Sequence, residues 1–164
     1  MGVVVALISR DDYMLPPSLS KQIARVGGLL RHRDCVNAAE VIDTARGAAV
    51  VWVFGGSRLL TSEVLVELPD CRMVLRSGSG TDNIPVTAAR ARGISIGNTP
   101  EATRDSVADH TIGLLLAQHR RIVQKDREIR CGNYDRDHPQ TGAALAGMVI
   151  GLIGFGHIGA AVAR

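Results

Sequence analysis

Five short apolar or β-branched runs, at residues 3–8, 34–37, 49–54, 73–75 and 94–96, recur along the chain with segments of helical spacing between them. No other feature restricts the fold as much. Strands separated by helix-length connections cannot pair as tight hairpins, so they assemble into a parallel sheet with crossover helices on its faces. The intervening helices are predicted at residues 18–30, 38–46, 61–69 and 86–93. Gly27, Gly47 and Gly93 stand where such helices must end and turn. Residues 1–98 are therefore expected to fold as one five-stranded α/β layer domain.

Beyond it a longer helix is predicted over residues 106–131, in which Ser106 and Asp109 have the spacing of a capping box. Ala108, Ile112, Leu115, Leu116 and Ile122 fall on one stripe, while Arg120, Arg121, Lys125, Arg127 and Arg130 gather toward the carbonyl end. Residues 132–147 are polar and marked by Gly and Pro, as in a surface loop between domains. Residues 148–153 read as a buried strand, followed at once by a glycine-rich turn. The chain thus divides into a domain at 1–98, a connecting helix and loop at 99–147, and the start of a second domain at 148–164.

Composition narrows the function classes. With 46% hydrophobic and 21% charged residues, the chain falls in the ordinary globular range. Its net charge of +3 comes from charges of alternating sign, not from basic blocks, so a nucleic-acid partner is not expected. The opening apolar run is far shorter than the roughly 20 residues of a membrane span, so no membrane partner is expected either. Cys35, Cys71 and Cys131 are odd in number and widely spaced, which points to a reducing, cytoplasmic setting. His110, His119, His138 and His157 show no metal-ligand spacing, so no metal is expected. No serine lies in a nucleophile elbow.

Two motifs carry chemistry. Gly154, Gly156 and Gly159 form G-x-G-x-x-G between a predicted strand and a predicted helix. In a dinucleotide site the first glycine permits the turn, the second admits the pyrophosphate, and the third lets the helix approach the strand. From these six residues alone, a glycine-rich turn without a ligand stays open. The second motif runs from Arg76 through Ser77, Gly78, Ser79, Gly80, Thr81, Asp82 and Asn83 to Ile84, after the fourth strand. Its close glycines can present backbone amides to a small carboxylate at the carboxyl end of the sheet. A plain strand-to-helix loop, with Asp82 or Asn83 capping the next helix, fits those residues equally well.

The order and spacing of RSGSGTDNI (76–84), GISIGNTPEATRDSVADH (93–110) and LAGMVIGLIGFGHIG (145–159) resemble the D-isomer-specific 2-hydroxyacid dehydrogenases. The chain resembles the branch that includes phosphoglycerate dehydrogenase and hydroxypyruvate reductase. The similarity is weak over the first 45 residues and close from about Gly55 onward. The resemblance implies a flavodoxin-like substrate domain, then a linker helix and the first βα unit of a Rossmann NAD-binding domain. It implies that the backbone of Gly78, Ser79 and Gly80 holds the substrate carboxylate, with Ser79 also beside the nicotinamide. The cofactor would lie on Gly154, Gly156, His157, Ile158 and Gly159. Thr103 stands where relatives often have Asn facing the active site, and Asp109 replaces the usual Glu before His110.

The implied chemistry is hydride transfer between NAD and a small 2-keto or 2-hydroxy acid, in a cytoplasmic homodimer. NADP stays open, because the acid that would bind the ribose falls past Arg164. The Arg, Glu and His of the family's chemistry are also expected beyond Arg164, so no catalytic residue is assigned here. The chain is accordingly expected to be a truncated oxidoreductase, inactive alone. Two alternatives from other classes are an NAD(H)-sensing corepressor-like binding protein and a free-standing carboxylate-binding domain.

Overall fold

A computed structural model describes residues 2–10, 15–133 and 142–164. The chain separates into two compact units, Met1–Pro100 and Glu101–Arg164. His138 and residues 134–141 of the predicted inter-domain loop lie outside the described residues.

The first unit alternates strand and helix: β1 (Val3–Ser9), α1 (Pro17–Arg25), β2 (Gly28–Asp34), α2 (Ala38–Ala45), β3 (Val50–Val53), α3 (Ser62–Val66), β4 (Met73–Arg76), α4 (Val86–Ala91) and β5 (Ser95–Asn98). All five strands are parallel, in the order β2-β1-β3-β4-β5. This is the flavodoxin-like doubly wound order, with its switch point between β1 and β3. Ligands of such sheets bind outside the carboxyl ends of the strands, so the loops after Ser9, Val53, Arg76 and Asn98 matter most.

Burial explains the alternation. Ala6, Ile8, Val51, Val53 and Val74 of the central strands are sealed from solvent together with Val41, Leu65 and Leu68 from the flanking segments. Full burial of each large aliphatic side chain contributes on the order of 1.5–3 kcal/mol. Local caps set the helix starts. The Asn37 side chain accepts the Glu40 amide at 3.0 Å, while the Glu40 carboxylate accepts the Val36 amide at 2.8 Å.

That cap corrects the expected second strand at residues 34–37. The strand is β2, which ends at Asp34, and Asn37 instead opens α2. Gly27, at φ +79°, does end the first helix, but Leu29 and Leu30 join the sheet instead of continuing the helix. Helical spacing was misleading here because β2 is an edge strand, largely exposed, and carries Arg31, His32 and Arg33 in place of a buried apolar pattern.

The second unit holds α5 (Arg104–His119), α6 (Ile122–Arg130) and α7 (His157–Val162). The single helix expected over 106–131 is thus two. Arg121 adopts a left-handed conformation, φ 54° and ψ 32°, and ends one helical path before α6 begins. Neither Gly nor Pro marks that break in the sequence. The helix also begins before the expected box: Ser106 lies inside α5, and Thr103 at the cap, with ψ 0°, makes no side-chain capping bond. Residues 148–153 form no strand among the described residues, and Val149 and Ile153 are fully exposed. A strand needs a partner edge, and no described strand offers one to this segment.

Candidate functional site

The loop after β4 is held by contacts from both neighbouring strands, β3 and β5. Gly78 has φ +113°, a conformation that turns the chain sharply just beyond the sheet and favours glycine. Thr99, directly after β5, grips it from both sides: Gly78 N–H donates to Thr99 Oγ1 at 2.7 Å, and Thr99 N–H donates to the Gly78 carbonyl at 3.0 Å. Asn98 Nδ2 donates to the Ser79 carbonyl at 2.8 Å. From β3, the Trp52 indole N–H donates to Ser77 Oγ at 2.7 Å.

A buried asparagine anchors the far end. Asn83, 7% exposed, donates from Nδ2 to the carbonyls of Ser57 at 2.8 Å and Gly55 at 3.3 Å. Its Oδ1 accepts from Arg76 Nε at 3.3 Å, and Arg76 Nη1 also donates to the Ser77 carbonyl. Asn83 therefore braces two loops to each other and does not act as a helix cap; Pro85 precedes α4 without a side-chain capping bond.

What remains unpaired decides what the loop can do. Among the described residues, the Ser79 and Gly80 amides meet no backbone or side-chain acceptor, and both residues are exposed. Gly78 differs, since its N–H is taken by Thr99. The Arg76 guanidinium lies against Gly78, close enough to overlap a Cβ placed there, and adds positive charge beside the turn. Asp82 opposes it, for its carboxylate sits next to Gly80, but Arg58 Nη2 pairs with Asp82 at 3.2 Å and offsets that charge. Two adjacent amides without a protein acceptor, beside a guanidinium, are groups that can hydrogen-bond and attract a small anion.

At the carboxyl ends of β1 and β2, Ser9, His32 and Asp34 converge, a grouping the linear pattern did not reveal. Ser9 Oγ lies 2.7 Å from His32 Nε2 and donates to Asp34 Oδ1. Asp34 approaches the same nitrogen, Nε2, at 3.7 Å, and Ser9 is wholly buried. An acid on the serine's side of the imidazole cannot orient it as a base for that serine. The trio fastens the edge strand to its neighbour.

In the second unit, the predicted dinucleotide residues form a compact turn. Gly154 has φ +92°, which permits the reversal ahead of α7. A Cβ on Gly159 would stand 2.4 Å from the Gly154 carbonyl oxygen, so only glycine allows this approach. Gly156 at the cap has nothing within 4 Å of its Cβ direction and faces open space. The first helical bond runs from Ala160 N–H to the Gly156 carbonyl at 2.9 Å. The amides of His157, Ile158 and Gly159 precede it and have no acceptor within the helix. Gly154 makes the turn, Gly156 leaves space open, and Gly159 lets α7 lie close on the Gly154 carbonyl. Among the described residues no group of His, Cys, Asp or Glu could hold a metal.

Comparison with known proteins identifies a family for the chain. Residues 14–158 match the D-isomer specific 2-hydroxyacid dehydrogenase catalytic domain. Glyoxylate reductase from Pyrococcus furiosus is 40% identical over 114 residues, covering 66% of this chain and 34% of the relative. Glyoxylate/hydroxypyruvate reductase A from Arabidopsis thaliana is 30% identical over 146 residues, covering 89% of this chain and 47% of the relative. The structure of NADPH-dependent glyoxylate/hydroxypyruvate reductase from Sinorhizobium meliloti, in complex with NADP and malonate, superposes with TM-score 0.76 at 29% identity, covering all of this chain and 50% of that one. The chain therefore spans a third to a half of the length of these relatives. With the five-stranded flavodoxin-like sheet and both glycine motifs in place, it belongs to the D-isomer specific 2-hydroxyacid dehydrogenases.

Proposed function

We propose that residues 1–164 supply the carboxylate-holding loop and the pyrophosphate turn of an NAD(P)-dependent oxidoreductase that interconverts a small 2-keto acid and its D-2-hydroxy acid. The observation that carries this reading is the pair of unpaired amides, Ser79 and Gly80, at the carboxyl edge of the sheet beside Arg76. Gly78 makes the turn that aims them. Bound at those amides, a substrate carboxylate is held by two directed hydrogen bonds, and its 2-carbon is fixed in position. When bound, a nicotinamide cofactor would supply or accept the hydride. Gly154, Gly156 and Gly159, with the amides of His157 and Ile158, would hold its pyrophosphate, for which Gly156 leaves room.

Supporting the carboxylate half, a structural relative named as a glyoxylate/hydroxypyruvate reductase is complexed with NADP and malonate. We further read the protein as a cytoplasmic homodimer. The free thiols of Cys35, Cys71 and Cys131 favour the reducing compartment, and no helix among the described residues is long and apolar enough to cross a membrane. The dimer rests on the family resemblance, and sedimentation of the complete protein tests it.

The decisive experiment expresses the complete coding sequence that contains residues 1–164 and assays NADH- and NADPH-dependent reduction of glyoxylate and hydroxypyruvate. Turnover that Gly156→Val abolishes by blocking coenzyme binding is expected. Absence of turnover with either coenzyme, from protein that is folded, overturns the proposal. Residues 1–164 alone are expected to bind NADH no tighter than about millimolar, because the ribose and adenine contacts are not among them.

A further inference from the structure

We infer that Thr99, assisted by Asn98, is a positioning residue that selects which amides of the β4 loop meet the substrate carboxylate. The inference rests on the reading of that loop as the carboxylate site. A strand-to-helix loop rich in glycine has several amides and no intrinsic reason to present a particular pair. Here the choice is made from the adjacent strand. Thr99 Oγ1 occupies the Gly78 amide at 2.7 Å, and the Thr99 amide holds the Gly78 carbonyl at 3.0 Å. The Asn98 side chain fixes the Ser79 carbonyl at 2.8 Å.

Three bonds therefore pin three successive peptide units, Ser77–Gly78, Gly78–Ser79 and Ser79–Gly80, the last two flanking Ser79. The Ser79 carbonyl is drawn toward β5, so the peptide that follows it presents the Gly80 amide away from β5. The Gly78 amide is withheld from solvent, and the anion is offered Ser79 and Gly80 instead. Thr99 is half-buried, and its hydroxyl meets backbone only, so it does not itself contact a ligand in this arrangement. Its effect reaches the substrate through the loop. Parallel register makes the grip possible: Arg76 pairs with Asn98, which places Thr99 level with the first loop residues.

The test uses the 164-residue chain labelled with ¹⁵N and titrated with oxamate, a non-hydrating analogue of a 2-keto acid, with sodium chloride at matched ionic strength as control. Oxamate should shift the Ser79 and Gly80 amides saturably, and chloride should not. Thr99→Val, which keeps the side-chain shape and removes the acceptor, should weaken oxamate binding by about tenfold. It should also raise the exchange rate of the Gly78 amide, while core amides such as Val51 and Val74 keep their protection. Thr99→Ser should restore both within about twofold.

Oxamate binding to Thr99→Val with unchanged affinity would overturn the positioning role and leave the carboxylate site intact. Absence of any Ser79 or Gly80 shift in the wild-type chain, or equal shifts from chloride, would overturn the carboxylate reading and the inference with it. Loss of binding in Thr99→Ser as severe as in Thr99→Val would also overturn it, since the hydroxyl would then not be the operative group.

Discussion

Gly159 packs so closely on Gly154 that a single added methyl would lie 2.4 Å from the Gly154 carbonyl oxygen, whereas three residues earlier Gly156 borders open space. The two positions should therefore respond in opposite ways to the same substitution. Gly159→Ala should force the turn and α7 apart, at a cost of about 1–3 kcal/mol to local order. Gly156→Ala should leave the turn in place. Amide shifts and exchange protection over residues 154–162 check both, and equal perturbation by the two variants would refute the assignment of their separate roles.

Asn83 should be among the costliest polar residues to truncate in the first unit. Asn83→Ala strands the carbonyls of Gly55 and Ser57 and releases Arg76 Nε at once. Ser57 is buried whereas Gly55 and Arg76 reach solvent, so the cost falls chiefly on the Ser57 carbonyl and a loss of about 1–3 kcal/mol is expected. Trp52 is the sole tryptophan and lies on β3, so its fluorescence during urea unfolding reads this unit directly. A loss below about 1 kcal/mol would show that water replaces the bonds.

The thiols should divide by burial. Desolvation pushes the Cys71 thiol above its usual 9.0, against the lowering effect of hydrogen bonds to Met73 and Val51 and of Arg92. Desolvation likewise raises Cys35, opposed by its bond to Thr44. At pH 8, a disulfide reagent should label exposed Cys131 at once and reach the other two only on unfolding.

The same shifts have a defined sign for stability. A thiol whose folded value is raised favours the fold in full below the unfolded value and loses that contribution as pH climbs through the folded one. Stability should therefore decline above about pH 9, beginning near the ordinary thiol value. Cys71→Ser or Cys35→Ser should flatten the decline, and an unchanged urea midpoint from pH 8 to pH 10 would contradict it.

Removing residues 148–164 should reduce self-association. Val149, Ile153 and Phe155 are 98%, 108% and 70% exposed, which leaves three large apolar side chains of one short segment in water. Light scattering and binding of a hydrophobic dye should both fall in the shortened chain. Scattering that rises or stays constant would show that this segment is not the cause.

The sequence by itself determined the layer architecture, because alternating apolar runs and helix-length connections leave a parallel sheet as the economical way to bury both. It also located both glycine motifs, since a turn of positive φ such as that at Gly78 or Gly154 and a close approach such as that at Gly159 each demand a specific residue type. It misplaced β2 because an edge strand exposes its side chains and so loses the apolar signature of the inner strands. It missed the break at Arg121, where no residue type announces the left-handed turn. Only the tertiary structure decided which amides of the β4 loop are free. That depends on Thr99, Asn98, Trp52 and Asn83, which the parallel register and the loop packing bring to one place although as many as 47 positions separate them in the chain. Spacing along a sequence records which residues can make a turn; hydrogen bonds across strands determine what that turn presents.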